Sequence, residues 1–346
     1  MNKQLERYSR AESIRLLNRY GRQRRPMAFL ISFEGEENLV LPLQEAAAYG
    51  LHLHMPGMNG VTGIKNPGNT KTKNLGNNKP AHPGRILEFS SSPISREAYN
   101  EAFGEVSREI LYGNSFLLNL TFSTPVECSF SMEEIYRFSM APYKLLLKDE
   151  LVIFSPEQFL KIEGKRIVSN PMKGTMDACL PGALEKLTTD PKEDAEHHTI
   201  VDLIRNDLSM VAKKVRVERF KYVEELRTHT GSLLQMSSEI TGELPEDFHH
   251  NLGDILFTLL PAGSICGAPK RKTLEIIRRV ESHHRGYYTG IFGYWDGSAL
   301  YSAVAIRYIE KTAAGLIFKS GGGITGMSNC DHEYEEMKRK VYVPVY

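Results

Sequence analysis

The sequence predicts an α+β fold with mostly antiparallel sheets, and three observations support this fold class. Short apolar segments with period-two alternation occur in pairs around polar turns, as in residues 27–44 (MAFLISFEGEENLVLPLQ). Helical segments separate the strands without the strict alternation of parallel βαβ units. The 346-residue chain is 41% hydrophobic and 25% charged, an ordinary globular composition that is long enough for about two domains or one large one.

The first third of the chain contains strands, a loop and a helix. Residues 1–26 are basic and partly amphipathic, and Glu6 and Glu12 count against a transit peptide, so a docking helix is the preferred interpretation. Residues 55–85 are dominated by Gly, Asn, Pro and Lys without periodicity, which predicts a long, exposed and flexible loop. Helix-capping residues and spacing predict a helix over residues 95–113.

The remainder of the chain alternates strands and helices. Antiparallel strands are predicted in SFLLNLTFSTPV and YKLLLKDELVIFSPEQFLKIEGKRIVSN, and again in YYTGIFGYWDG, ALYSAVAIRYIE and AGLIFKS. One helix is predicted from about Pro191 to Lys214 and a second from Pro269 to about Glu281. A Gly-rich turn and a short terminal helix are predicted to follow.

Charge and cysteine content exclude several function classes. The net charge is +1, which provides no field to attract nucleic acid or an anionic membrane, and no apolar run approaches the roughly 18 residues of a membrane span. No two cysteines form a CxxC pair, which argues against a disulfide framework or a structural zinc site. We therefore expect a cytoplasmic protein. The cysteines are Cys128, Cys179, Cys266 and Cys330.

The segment GGGITG contains the spacing GxGxxG at Gly321, Gly323 and Gly326. A dinucleotide site would need a second strand with a ribose-binding acid, and the residues up to Tyr346 leave no room for it. Two interpretations remain. Gly-rich backbone before a helix offers N–H groups to an anion, or the segment is a plain tight turn.

Two pairs of acids lie three residues apart, so that each pair shares one helix face. They are Glu193 with Glu196, and Glu333 with Glu336, followed by Lys340. Four converging carboxylates would repel one another unless a divalent cation lay between them, and hard oxygen ligands suit Mg²⁺. The alternative is two helix faces joined by salt bridges.

The first acidic pair continues into an apolar stripe, which predicts that its carboxylates face the protein interior. The stripe consists of Ile200, Leu203 and Ile204. An acid that faces the interior needs a partner, whereas a solvated acid does not.

Lys173 and Glu157 are candidate catalytic residues. Lys173 lies in SNPMKGT, which predicts a tight turn after the strand KRIVS, and Glu157 lies in the turn FSPEQFL. A lysine that is desolvated in a pocket becomes a nucleophile, and a carboxylic acid beside it is a candidate general acid. The alternative is a solvated lysine.

Taken in order, the motifs of residues 95–346 resemble those of the chorismate-utilising enzymes. These motifs are SPEQFL, PMKGT, EHHTIVDLIRNDL, LLPAGSICGAPKRKTLEIIRRVE, RGYYTGIFGYW, VAIRY and GGGITGMSNCDHEYEEMKRK. The resemblance implies large, mostly antiparallel sheets packed together with helices on the outside. It also implies a chorismate-binding catalytic domain over 95–346, after a short N-terminal segment over 1–94 that contains strands and the 55–85 loop.

The lysine form of PMKGT resembles aminodeoxychorismate synthase component I, since anthranilate, salicylate and isochorismate synthases typically carry Ala at position 173. Such enzymes are transferases that convert chorismate and ammonia to 4-amino-4-deoxychorismate, the precursor of p-aminobenzoate and folate. The resemblance implies that Lys173 attacks ring carbon C2 and expels the C4 hydroxyl, which Glu157 protonates. Ammonia then attacks C4 and releases the lysine.

The resemblance also implies the ligands of the remaining site. It assigns Mg²⁺ to Glu193, Glu196, Glu333 and Glu336, two of them through water. Arg307 would bind the enolpyruvyl carboxylate through its planar guanidinium. Further substrate contacts are implied at Thr175, Tyr288, Gly322, Gly323 and Lys340.

Three departures from the family pattern stand out. Leu117 replaces the catalytic lysine of water-adding relatives, which disfavours isochorismate and salicylate formation, and it also replaces the Gln that is common in ammonia-using members. Gln235 replaces the family histidine, and an amide cannot titrate near pH 7. The region before residue 95 is shorter than in long members, so a regulatory tryptophan site is not assumed.

Ammonia needs a source, and Cys266 in GSICGAP lacks the GxCxG pattern of a glutaminase nucleophile. A separate glutamine amidotransferase subunit or free ammonium is therefore expected, and no fused lyase is expected. Two alternatives to aminodeoxychorismate synthase remain. One is the large subunit of an anthranilate synthase, and the other is a catalytically silent paralogue that binds chorismate or only a partner.

Overall fold

Two antiparallel sheets surrounded by helices make up the protein. The structure, a computed structural model, describes residues 5–58, 86–228 and 231–345. Within these ranges, the side chains at positions 173, 175, 192, 226–228, 231 and 233 lie outside the described part. The predicted α+β class with mostly antiparallel sheets is confirmed.

Most strands have six residues or fewer, and four are longer, with 11 to 16 residues. In chain order they are β1 (Met27–Ile31), β2 (Leu39–Pro42), β3 (Leu51–His54), β4 (Phe89–Ser91), β5 (Leu117–Cys128), β6 (Tyr143–Leu147), β7 (Leu151–Ser155), β8 (Gln158–Glu163), β9 (Arg166–Ser169), β10 (Met172–Asp177), β11 (Lys213–Thr228), β12 (Gly231–Glu243), β13 (Gly267–Ala268), β14 (Ile291–Trp295), β15 (Ala299–Val304), β16 (Tyr308–Thr312) and β17 (Gly315–Thr325).

The first sheet has the order β10-β12-β9-β8-β15-β14-β1-β2, with β11 also paired to β12. The second sheet has the order β13-β5-β17-β16-β7-β6-β3, with β4 also paired to β5. The register of β5 and β17 places Gly321 opposite Thr121 and Gly323 opposite Asn119. The Gly-rich strand β17 therefore lies inside the second sheet, between β5 and β16.

Several helices begin at a residue whose side chain accepts a hydrogen bond from the first turn. Ser95, for example, accepts a hydrogen bond from the backbone N–H of Ala98. Among the described residues, none of the helices combines the length and apolar character that a membrane crossing requires. The helices are α1 (Arg10–Arg22), α2 (Arg96–Leu111), α3 (Met132–Phe138), α4 (Ala183–Thr189), α5 (Pro191–Ser209), α6 (Leu252–Leu259), α7 (Gly263–Cys266), α8 (Lys270–Val280) and α9 (Cys330–Arg339), with 3-10 turns at Ala46–Tyr49 and Phe248–Asn251.

Strand β1 shows how the core is divided. Ala28 and Leu30 face a cluster with apolar residues of β3, β6, β7 and β14. Met27, Phe29 and Ile31 face a larger cluster, to which α5, α6 and α8 contribute. Alternate residues of one strand therefore belong to two separate cores, as the period of a strand requires.

The N-terminal segment supplies strands to both sheets. β1 lies between β14 and β2 in the first sheet, and β3 lies at the end of the second. The two strands predicted within residues 27–44 are confirmed. Residues 59–85 of the predicted loop lie outside the described residues, and the division at residue 94 stays a prediction.

The structure corrects the predicted end of the 191–214 helix. α5 ends at Ser209, where hydrogen bonds between residues three apart tighten its last turn. Lys213 already begins β11, and Val215 and Val217 lie within that strand. Val211 extends the helical spacing in the sequence, but the β-branched valines beyond it favour extended structure.

Two predicted turns are strands. PMKGT lies in β10, where Gly174 has a φ of +74° and the register with β12 shifts between Lys173 and Thr175. The Gly-rich turn is the end of β17, which runs on to Thr325. Glycines in both segments served as turn signals, whereas in the structure they mark a β-bulge and a close approach of two strands.

Candidate active site

Glu157 lies in the two-residue connection between β7 and β8, as the sequence predicts. The backbone N–H of Glu157 donates to the hydroxyl of Ser155 over 3.1 Å. Its Oε1 accepts a hydrogen bond of 2.8 Å from the hydroxyl of Ser264 in α7. The carboxylate is therefore held from a second segment of the chain, about a hundred residues away in sequence.

Glu157 and Ser264 line a cleft of about 360 Å³, a volume that includes space open to solvent. Its apolar wall includes Ile204, Leu208 and Leu259. A mostly apolar cleft with a few convergent polar groups is the usual form of a small-molecule site.

Asp207 adds a second carboxylate to this cleft. It forms an ion pair of 2.7 Å with Lys270, which also donates to the carbonyl of Leu259. Burial raises the pKa of Asp207, and the neighbouring ammonium of Lys270 opposes that effect. The pair joins the end of α5 to the start of α8 beside the candidate general acid.

The bulge in β10 brings Gly174, the residue after Lys173, close to Glu193 of α5. A Cβ on Gly174 would lie 3.3 Å from Oε2 of Glu193. Glu196 is 7% exposed and Ile200 is fully buried, so this face of α5 points inward as predicted. The side chains of Lys173 and Thr175 lie outside the described residues, so their roles stay predictions.

The second acidic pair lies against the Gly-rich strand. A Cβ on Gly322 would lie 3.5 Å from Oε2 of Glu333, 3.6 Å from Nζ of Lys340 and 3.9 Å from Oε1 of Glu336. Lys340 pairs with Glu336 over 2.7 Å and donates to the carbonyl of Gly321 over 2.9 Å. The structure therefore brings together four of the residues that the sequence singled out.

The acids have the donor chemistry for Mg²⁺. Glu333 is only 3% exposed, and Glu196 is similarly buried on the other helix. Among the described residues, no three His, Cys, Asp or Glu side chains converge as a metal-binding group. Mg²⁺ is commonly held by one or two carboxylates together with water and substrate oxygens, so the residues fit such an open site. Convergence of all four acids on one ion stays a prediction.

Arg307 and Tyr288 lie between the sheets. Arg307 has a φ of +53°, in the left-handed region that is strained for a long side chain, and its carbonyl accepts from the N–H of Phe154. Its buried Nε has no hydrogen-bond partner within the described residues. Tyr288 is 4% exposed, and burial raises the pKa of its hydroxyl. A strained arginine with unused donor capacity is consistent with a carboxylate-binding role.

The two departures from the family pattern lie in the sheets. Leu117 is 2% exposed and pairs with Ala268 and Thr325. Gln235 pairs with Thr175 across the bulged strand. Position 235 is therefore close to the predicted nucleophile along the sheet, and position 117 pairs with Ala268 of the GSICGAP motif.

Two further functional candidates, Ser264 and Arg285, are revealed only by tertiary contacts. Ser264 carried no role in the motif GSICGAPK, although it binds Glu157. Arg285 in the motif RGYY is 1% exposed and forms an ion pair of 2.6 Å with Glu281. The one available signal was the spacing of four residues between Glu281 and Arg285, which suits an acid–base pair on a helix or turn.

Residues 58–345 match the family of chorismate binding enzymes. The chain belongs to this family. An uncharacterized PabA-like protein of Pasteurella multocida is 48% identical over 96% of this chorismate binding enzyme and 98% of its own length. The aminodeoxychorismate synthase component 1 of Escherichia coli is 31% identical over 72% of the chain. The anthranilate synthase component 1 of Archaeoglobus fulgidus is 33% identical over 71%. The matches span 57% and 61% of those two relatives.

Solved structures of related enzymes share the fold of this chorismate binding enzyme. The menaquinone-specific isochorismate synthase of Escherichia coli gives a TM-score of 0.69 at 16% identity, over 97% of this chain and 82% of that one. Anthranilate synthase component I of Streptococcus pneumoniae gives 0.61 at 26% identity, over 73% and 58%. The predicted family resemblance and fold are thereby confirmed.

Proposed function

We propose that this chorismate binding enzyme is an aminodeoxychorismate synthase that converts chorismate and ammonia to 4-amino-4-deoxychorismate. The observation that carries the proposal is the lysine of PMKGT on the bulge of β10, beside the acid-bearing helix α5. Relatives named aminodeoxychorismate synthase component 1 at 30–32% identity support it. The product would feed p-aminobenzoate and folate biosynthesis in the cytoplasm.

Lys173 would act as the nucleophile. Its neutral amine would bond to ring carbon C2 while both ring double bonds shift and the C4 hydroxyl leaves as water, with its proton supplied by Glu157. Ammonia would then bond to C4, both double bonds would shift back, and the C2–nitrogen bond would break to return the lysine. Two allylic displacements replace one difficult substitution, which is the advantage of covalent catalysis.

The remaining residues would bind and orient chorismate. The guanidinium of Arg307 would take the enolpyruvyl carboxylate, with Tyr288 and Thr175 against the substrate. Gly322 and Gly323 would offer backbone N–H groups, and Lys340 would add positive charge beside them. The hydrogen bond from Ser264 would orient the Glu157 carboxyl towards the leaving hydroxyl.

Mg²⁺ would be held by Glu193, Glu196, Glu333 and Glu336, two of them through water. When bound, it would neutralise a carboxylate of chorismate. The close approach of Gly322 to Glu333 and Glu336 supports a site in which substrate oxygens meet the acids of α9.

Ammonia would come from a separate glutamine amidotransferase subunit. Cys266 is fully buried, and burial raises the pKa of its thiol to about 11, which is opposite to what a glutaminase nucleophile requires. Free ammonium at high concentration would replace the partner in an assay.

The test is a product assay. Purified protein is incubated with chorismate, Mg²⁺ and ammonium, with and without an amidotransferase subunit and glutamine, and products are identified by mass spectrometry beside Lys173→Ala. An amino compound that retains the enolpyruvyl group in the wild type, and is lost in the variant, is expected.

Other products would favour the alternatives. Anthranilate with free pyruvate would identify an anthranilate synthase, whose named relatives match this chain with similar identity. Chorismate left unconsumed after the amidotransferase has been supplied would identify a catalytically silent paralogue.

A further inference from the structure

Arg285 is a fully buried guanidinium between the two sheets, and all of its donor nitrogens are engaged. Nε and Nη2 donate to the two carboxylate oxygens of Glu281 over 2.8 and 2.6 Å. Nη2 also donates to the carbonyl of Asn119 over 2.6 Å, and Nη1 to the carbonyl of Ile265 over 3.0 Å. The hydroxyl of Thr289 accepts a longer contact of 3.4 Å.

These contacts tie together segments that surround the candidate site. Ile265 follows Ser264, whose hydroxyl holds Glu157. Asn119 pairs with Gly323 of the Gly-rich strand. One side chain therefore connects α7, which holds the general acid, with β5, the strand paired to the Gly-rich β17.

Glu281 extends the same network to β5. Its Oε1 accepts hydrogen bonds of 2.9 Å from both the backbone N–H and the hydroxyl of Thr121. The guanidinium also packs over the ring of Phe33, with 4.4 Å between its central carbon and the ring centroid. The orientation of Arg285 is thus fixed from several directions.

Stability alone does not explain this arrangement. A buried ion pair contributes little net stability over well-packed apolar residues of the same volume, because both charges are desolvated. Only a planar guanidinium provides five donors in one fork, which here bind a carboxylate and two carbonyls at once. A lysine would keep the charge but lose that geometry.

We propose that Arg285 is a positioning residue, which holds α7 through the carbonyl of Ile265 so that Ser264 orients the carboxyl of Glu157. This inference rests on the proposed role of Glu157 as the general acid. It assigns no contact between Arg285 and the substrate.

The test is a double-mutant cycle on chorismate consumption, with Arg285→Lys, Ser264→Ala and the variant that carries both. Each single substitution is expected to lower kcat by roughly 100-fold, with KM changed less than about threefold, since a misplaced catalytic group costs about that much. If Arg285 acts through Ser264, the double variant is no more than about threefold slower than the slower single variant. If the two single losses of kcat multiply in the double variant, the proposal is overturned.

Val152→Ala is the control for a general loss of stability. Val152 is fully buried in a separate core cluster of the second sheet. It should lower Tm while leaving kcat unchanged. If Arg285→Lys lowers kcat no more than Val152→Ala at a similar loss of Tm, the role of Arg285 is structural and the proposal fails.

Glu281→Gln provides a second route if Arg285→Lys does not fold. It keeps the shape of the side chain, frees the fork of Arg285, and enters the same cycle with Ser264→Ala. Failure of both variants to fold would assign Arg285 to the folding core and overturn the positioning role.

Failure of the Arg285 inference can be distinguished from failure of the proposed function. If the wild type consumes chorismate through Glu157, as shown by loss of turnover in Glu157→Gln, the cycle tests Arg285 whatever product is formed. If the wild type forms aminodeoxychorismate and the cycle is multiplicative, only the positioning inference fails.

Discussion

A Cβ on Gly322 would lie 3.5 Å from Oε2 of Glu333, so strand β17 touches helix α9 at the position where the sequence places its second acidic pair. The contact distance is that of ordinary van der Waals packing. A small side chain therefore fits at position 322, but it would occupy the space directly beside the carboxylates.

This spacing predicts different outcomes for two neighbouring glycines. Gly322→Ala should fold with a near-normal Tm and raise the KM for chorismate roughly 10-fold, because its methyl group fills space beside Glu333. A Cβ on Gly321 would lie 2.3 Å from the carbonyl oxygen of Leu120, so Gly321→Ala should lower Tm by forcing β5 and β17 apart. Thermal unfolding and steady-state kinetics separate the two. An unchanged KM in Gly322→Ala would remove this strand from the substrate site.

Ser264→Ala should lower kcat roughly 100-fold without changing the fold, because the carboxyl of Glu157 loses its described hydroxyl donor. Ser169→Ala is the matched control. Ser169 lines the same cleft, but its hydroxyl donates to the carbonyl of Phe159. Rates are measured as chorismate consumption, and equal rates in the two variants would contradict an orienting role for Ser264.

Glu336→Gln should abolish turnover with the fold intact if the acids of α9 hold Mg²⁺. Glu335→Gln is the control on the same helix, since Glu335 forms an exposed ion pair with Lys338 over 2.7 Å. Activity is measured across a Mg²⁺ titration and in EDTA. Near-normal turnover of Glu336→Gln, or wild-type activity that survives EDTA, would show that the metal assignment is wrong.

The lowered pKa of His283 leads us to expect that stability depends on pH. Burial lowers its pKa to about 4, helped by the nearby cations Lys319 and Arg285 and opposed by Glu281 and Glu310. Between about pH 6.5 and 4 the unfolded chain binds a proton at His283 that the folded chain does not. Stability should therefore fall as pH falls through this window, by at most about 1.4 kcal/mol per pH unit from this group.

The measurement is the free energy of unfolding at several pH values for wild type and His283→Gln. The difference between the two curves should be flat above about pH 6.5 and slope below it. A difference that is constant from pH 7 to pH 4 would mean that His283 titrates normally in the folded protein.

Helix faces were predictable from the sequence because their spacing is local. The apolar stripe that follows Glu196 on α5 predicted an interior position for its carboxylate, and Glu196 is buried. The roles of Ser264 and Arg285 were not predictable, because they depend on hydrogen bonds between segments far apart in sequence. No periodicity indicates which carbonyl a buried arginine will meet.

Two segments were wrongly predicted as turns because glycine occurs both in turns and in strands with a bulge or a close neighbour. The glycines of PMKGT and GGGITG indicate turns by composition, yet both segments belong to strands whose partners lie about 60 and 200 residues away. The long hairpin of β11 and β12 was also missed, because Val211 continued the helical spacing beyond the true end of α5. Pairing across a sheet decides these cases, and a single sequence does not display it.

The position of β1 and β3 has a practical consequence for protein production. The family match begins at residue 58, after both strands. A fragment trimmed to that boundary would leave β14 and β6 with open backbone donors and acceptors along one side. Unpaired edge strands of this kind pair with other chains, so we expect the shortened protein to aggregate. Fragments designed for expression or crystallisation should therefore keep residues 27–54, although the family motifs lie after these residues.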